Sequence, residues 1–151
     1  MKSLLNILEA KETDYNLQGY IHFNGIPIEI ENKKGSIRKG KEKNGKPWSI
    51  KMNADYGRIP LTKDGTGEMY DVYIGDNNDS KLIFIIKQLK PETKEFDEMK
   101  YMVGFDSKED AIKLYKSQYN KPGFFGGIKE IQFDEFKSLV FNNILQNITN
   151  Y

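Results

Sequence analysis

The chain has no cysteine among its 151 residues, one histidine and one tryptophan. The missing cysteine excludes a disulfide framework, a thiol nucleophile and a thiolate metal site, and it fits a reducing compartment, so the expected location is the cytoplasm. His22, alone in "YIHFNG", leaves a hydrolytic triad one candidate base with no evident partner, and it reads as an ordinary strand residue. No apolar run approaches the length of a membrane span, and the N-terminal one is interrupted by Glu9 too early for a signal peptide. A net charge of +1 provides no global field to draw the molecule onto nucleic acid or an anionic membrane. The expectation is a soluble protein with no membrane partner and with nucleic acid disfavoured.

What is present is ample apolar material: 38% hydrophobic and 13% aromatic residues, enough for one core and one domain over residues 1–151. Residues 1–14 are expected to form an N-terminal extension, with Ser3 capping a short helix over residues 3–11 that carries Leu4, Leu5, Ile7 and Leu8 on one side. Strand signals follow in "YIHF", "IPIEIE", "WSIKM", "MYDVYI", "KLIFIIKQ" and "EMKYMVGF", separated by turn chemistry such as Asn24-Gly25 and Asn44-Gly45. After Phe105 the period changes. Ser107 with Asp110 caps a helix of about three turns carrying Ile112, Tyr115 and Tyr119, stopped by Pro122-Gly123. A last strand, "GIKEIQF", leads to a helix capped by Asp134 with a stripe of Phe136, Leu139, Val140 and Ile144. This order predicts an α+β fold: a small antiparallel β-barrel with flanking C-terminal helices.

Charge is unevenly placed along the chain. Between Lys33 and Lys51 eight basic residues face one acid, so the remainder is net acidic. In "KDGTGEMYDVYIG", Asp64, Glu68 and Asp71 crowd the lip of a strand, where three carboxylates repel one another unless water or a cation intervenes. A second acidic lip, Glu95, Asp97 and Glu98, precedes Lys100 in "KEFDEMKYMVGF". Each feature alone also reads as a solvated turn or loop, and Tyr56 in "YGRI" as core packing. Together, acids that attract cations and bases that attract anions form the combination that phosphoanhydride chemistry uses.

From about Tyr15 to about Leu139 the chain resembles the inorganic-pyrophosphatase-like domain of bacteriophage and mobile-element proteins, a divergent relative of the soluble Mg²⁺-dependent pyrophosphatases. The matching blocks are "GIPIEIENKKGSIRKG" with "GKPW", "YGRI", "TGEMYDVYIG", "FDEMKYMVGFDS" and "GGIKEIQFDEFK", in the family's order. The resemblance implies an OB-like barrel, Mg²⁺ as cofactor and hydrolysis of pyrophosphate to phosphate. It implies Glu68, Asp71 and Lys100 as catalytic residues, and Arg38, Tyr56, Tyr119 and Lys121 as phosphate-binding residues. The implied metal acids are Glu31, Asp64, Glu68, Asp71, Asp97 and Glu98, with Asp64 entering only through a register shift. The pattern departs at Thr66, Arg58 and Lys87. Those departures motivate an alternative, a catalytically impaired binding protein of the same fold that captures a nucleotide or inhibits a host protein. A third reading is a single-stranded nucleic-acid binder using Trp48 and the basic segment. A homo-oligomer is left open.

Overall fold

The computed structural model describes residues 17–149, so the helix expected over residues 3–11 lies outside the described residues. The first two strands, β1 (Gly19–Phe23) and β2 (Ile26–Asn32), are joined by Asn24-Gly25. Both turn residues have positive φ, 48° and 89°, the backbone that a two-residue hairpin of matching twist requires. A separate hairpin follows, β3 (Ile37–Lys41) with β4 (Pro47–Lys51), and then β5 (Asp55–Ile59), β6 (Tyr70–Ile74), β7 (Leu82–Leu89) and β8 (Phe96–Val103). Helix α1 (Lys108–Ser117), strand β9 (Phe125–Gln132) and helix α2 (Phe133–Thr149) complete the chain.

Seven strands form one sheet in the order β1-β2-β5-β6-β8-β7-β9. All neighbours are antiparallel except β6 and β8, which run parallel because β8 returns between β6 and β7. The sheet is open, with β1 and β9 as its edges, rather than the closed barrel expected. The reason is visible at the edges: β9 pairs only with β7, and α2 begins directly where β9 ends. Two further strands were not foreseen. "IRKGK" looked like a basic loop, and "DYGRI" was read only for its tyrosine.

The period of two along the strands divides the sheet into two faces. On one, Ile28, Ile30, Ile59, Val72, Ile85 and Tyr101 pack beneath α2 through Phe133, Phe136, Val140 and Ile144. On the other, Tyr56, Tyr73, Phe84, Ile86 and Met102 pack beneath α1 through Ala111 and Tyr115. Ser107 caps α1 as predicted, its hydroxyl accepting from the Asp110 amide at 3.1 Å. The stripe on α2 differs from expectation. The helix starts at Phe133, so Asp134 lies inside the first turn, and Leu139 faces solvent while Phe133 takes the buried place.

Gly57 sits where β5 crosses β2 most closely, and a Cβ there would collide with the Glu29 carbonyl oxygen. Because the obstacle is backbone of a central strand, it cannot swing aside. Gly57→Ala is therefore expected to cost about 2 kcal/mol in urea unfolding, without changing the slope of the transition. An unchanged midpoint would show that the strands separate at no cost.

Candidate active site

On the α1 face of the sheet, one row of side chains crosses four strands with alternating charge: Glu29, Arg58, Asp71 and Lys100. Glu29 opposes Arg58 across β2 and β5, and Arg58 opposes Asp71 across β5 and β6. The β6–β8 register, pairing Val72 with Tyr101, brings Lys100 beside Asp71. Arg58 donates to Glu29 at 3.0 Å and reaches Glu31 at 3.4 Å, the latter from a strand irregularity between Ile30 and Asn32. Arg58 thus ties two acids of β2 to the site.

Lys100 is the centre of the arrangement. Its side chain is 3% exposed, and its ammonium lies 3.5 Å from Asp71, in contact with Glu98 and 2.6 Å from the Tyr56 hydroxyl oxygen. Burial alone would lower its pKa, but the Asp71 carboxylate, followed by Tyr119 and Glu98, holds it above the usual lysine range. It stays charged at any physiological pH. Asp71 is pushed up to about 6, first by burial, while Lys100 opposes the shift and the Glu98 and Glu31 carboxylates add to it.

A bulge supplies the second acidic lip. Gln88 pairs with Glu98 and Leu89 with Phe96, so Asp97 is the extra residue of β8. The buried Gln88 amide collects both acids, donating to Asp97 at 3.0 Å and to Glu98 at 3.5 Å. Its carbonyl oxygen accepts from the Tyr119 hydroxyl at 2.6 Å and from Tyr115 at 2.8 Å, linking the acids to α1 and the segment after it. Sequence reasoning missed Gln88, Arg58 and Glu29. The alternation in "KLIFIIKQ" does carry a signal for Gln88, since two residues beyond the buried Ile86 it must face the same side.

The basic segment is sorted by the same alternation. In the β3–β4 hairpin, Lys39, Lys41 and Lys51 face solvent, while Arg38 turns inward with Trp48 and Ile50. Gly40 opposes Trp48, and only a residue without a side chain admits the indole there. The Arg38 guanidinium lies 4.9 Å from the centroid of the Tyr56 ring and 5.9 Å from that of Trp48. A cleft of about 270 Å³ opens between hairpin and sheet, lined by Arg38, Trp48, Gln88, Glu98, Lys100 and Tyr119, with Lys121 at its mouth. Lys121 pairs there with Glu92 at 3.1 Å and Glu42 at 3.7 Å.

Not every expected residue joins this cleft. Asp64 lies on the opposite face, toward the Tyr101 hydroxyl at 3.5 Å, and its carboxylate accepts from the Thr66 amide and hydroxyl at 2.8 and 2.6 Å. It closes its own turn. Glu68 is exposed on that turn, and its backbone N–H donates to Asp64 at 3.3 Å. Tyr56 is buried under Arg38 and reaches the cleft only through Lys100. Lys87 is exposed on the far face, so it does not crowd the acids. Arg38, Tyr119, Lys121, Glu31, Asp71, Asp97, Glu98 and Lys100 are brought together.

Whether these residues suit Mg²⁺ can be judged from charge. Of five carboxylates, Glu29 and Glu31 pair with Arg58, Asp71 and Glu98 pair with Lys100, and Asp97 accepts from the Gln88 amide. One oxygen of Glu29, Oε2, is buried without a hydrogen-bond partner. Among the described residues no three acids are gathered closely enough to cage a metal ion. Mg²⁺ needs no cage, because it binds through one or two carboxylates together with substrate phosphates and water. The donor chemistry fits an ion that arrives with its substrate.

An α+β sheet carries a cleft of paired acids and bases with an arginine in its lining, a charge arrangement compatible with a phosphate-bearing ligand. A family model described as inorganic pyrophosphatase matches residues 8–141, and the chain belongs to that family. A search of curated proteins returned no match. Family membership supports a pyrophosphatase-related function and a small phosphate-containing substrate. Among the described residues no helix is long and apolar enough to cross a membrane.

Proposed function

We propose that this protein hydrolyses a phosphoanhydride with Mg²⁺, pyrophosphate being the leading substrate. The observation that carries the reading is geometric: Asp71 and Glu98 converge on the buried Lys100 ammonium, with Asp97 joined to them through Gln88 and Arg38 lining the same cleft. Asp71, Glu98 and Asp97 are the residues that would hold Mg²⁺, which supplies charge neutralisation of the phosphate oxygens and acidification of a bound water. Lys100 donates to phosphate from the cleft floor, and Arg38 and Lys121 do so from the rim. Tyr119 lines the cleft with its hydroxyl held by Gln88. The oxygen of water bonds to one phosphorus as the bridging P–O bond breaks, and the bridging oxygen leaves with the second phosphate and takes up one of the water's protons, giving two phosphates.

Phosphate release from pyrophosphate should require Mg²⁺, stop with EDTA, and show a KM raised about tenfold in Arg38→Ala. Absence of metal-dependent release from the wild type ends the reading. A specific observation favours the second one, a binding protein without turnover: Lys100 already bridges Asp71 and Glu98, and Thr66 stands in the turn held by Asp64. That protein would bind a non-hydrolysable diphosphate and release no phosphate.

A further inference from the structure

Next to the cleft lies a second cavity of about 460 Å³, walled by Tyr115, Tyr119, Phe124 and Phe125 with Lys116 and Lys121. The two share Tyr119, Asn120, Lys121 and Phe124, so they meet along one partly aromatic wall. We propose, resting on the phosphoanhydride reading above, that this second cavity takes the base of a nucleoside diphosphate whose anhydride lies over Lys100.

The first observation is the misfit between these walls and a bare anion. Pyrophosphate has no apolar surface, yet Trp48, Tyr119 and Phe124 all line the cleft. Rings in that position would strip water from an anion and return nothing. A purine or pyrimidine ring has two flat faces for such walls, and stacking tolerates any base. The second observation is the ring geometry. Tyr119 lies 4.7 Å from Tyr115 and 4.6 Å from Phe124, a stack of three rings whose end, Phe124, lines both cavities. The third is the sign of the rim. Glu42 lines the cleft beside Lys121, and a carboxylate there repels a third phosphate while accepting from a sugar hydroxyl.

The test compares two non-hydrolysable ligands by calorimetry on the full chain with Mg²⁺: methylenediphosphonate and α,β-methylene-ADP. The nucleotide analogue is expected to bind about tenfold more tightly, the scale of one base–aromatic stack. Phe124→Leu, which keeps apolar volume and removes the ring, should erase that difference, with methylenediphosphonate binding to the same variant as the reference for the phosphate end. Circular dichroism confirms that the variant is folded, and Phe124→Tyr, which restores a ring, should restore the difference. Equal affinity of the wild type for the two ligands overturns the base site and leaves the phosphoanhydride reading standing. Binding of neither overturns both.

Discussion

Lys100→Met is expected to cost about 3 kcal/mol of stability and to abolish phosphate binding. The ammonium is almost wholly enclosed, and it faces Asp71, Glu98 and the Tyr56 hydroxyl. Methionine fills similar volume but leaves two partly buried carboxylates facing each other without a cation. Removing one partner of a buried pair costs about 3–5 kcal/mol. The lower end applies here, because Asp71 and Glu98 retain 22% and 29% side-chain exposure and can recruit water. For a chain of this length that corresponds to a thermal midpoint lower by roughly 10 °C. A second substitution separates charge from packing. Lys100→Met with Asp71→Asn removes one of the stranded carboxylates and should recover part of the loss. A midpoint within 2 °C of wild type for the single variant would mean that Lys100 does not hold the acids together.

The strands and helices that could be read in advance were those whose sequence pattern and environment agree. "KLIFIIKQ" and "IPIEIE" are buried on at least one face, and their β-branched residues declare it; Asn24-Gly25 fixes the first hairpin by backbone geometry alone. "IRKGK" was opaque because its strand is exposed on alternate residues and its inward positions are Arg38 and Gly40, neither of which signals a strand. The open sheet could not be inferred, since a parallel β6–β8 neighbour depends on where a later strand inserts. In the site, Lys100, Asp71 and Glu98 were legible as charged residues at strand ends. Asp64 is hard to place because adjacency in sequence hides which face a residue takes, and the turn through Gly65, Thr66 and Gly67 sets it on the face opposite Asp71. Gln88 and Glu29 were overlooked for the opposite reason: each is polar inside an apolar run, where attention goes to the run.

Asp71→Asn is expected to make the protein more stable at pH 8 and nearly inactive. Asp71 in the folded chain titrates at about 6, raised chiefly by burial and then by Glu98 and Glu31 against the pull of Lys100. In an unfolded chain an aspartate titrates at about 3.9. Between those values the folded state keeps a proton that the unfolded state has lost, so stability is full below about pH 4 and falls as pH rises to about 6. Above that the wild type carries a constant deficit of roughly 2–3 kcal/mol. Asparagine cannot ionise, so the variant should escape this deficit in urea unfolding at pH 8 and match the wild type at pH 4. Millimolar Mg²⁺ should then raise the wild-type midpoint and leave the variant unmoved, because the carboxylate that gains from a cation is gone. Turnover should fall about a hundredfold or more, as expected for several kcal/mol of lost transition-state stabilisation. In the wild type the Mg²⁺ concentration needed for half-maximal turnover should fall as pH rises through about 6, because the ion and the proton compete for the Asp71 carboxylate. A variant less stable than wild type at pH 8 would show that Asp71 is held as a structural partner of Lys100, and that the strain at this carboxylate is not what recruits the metal.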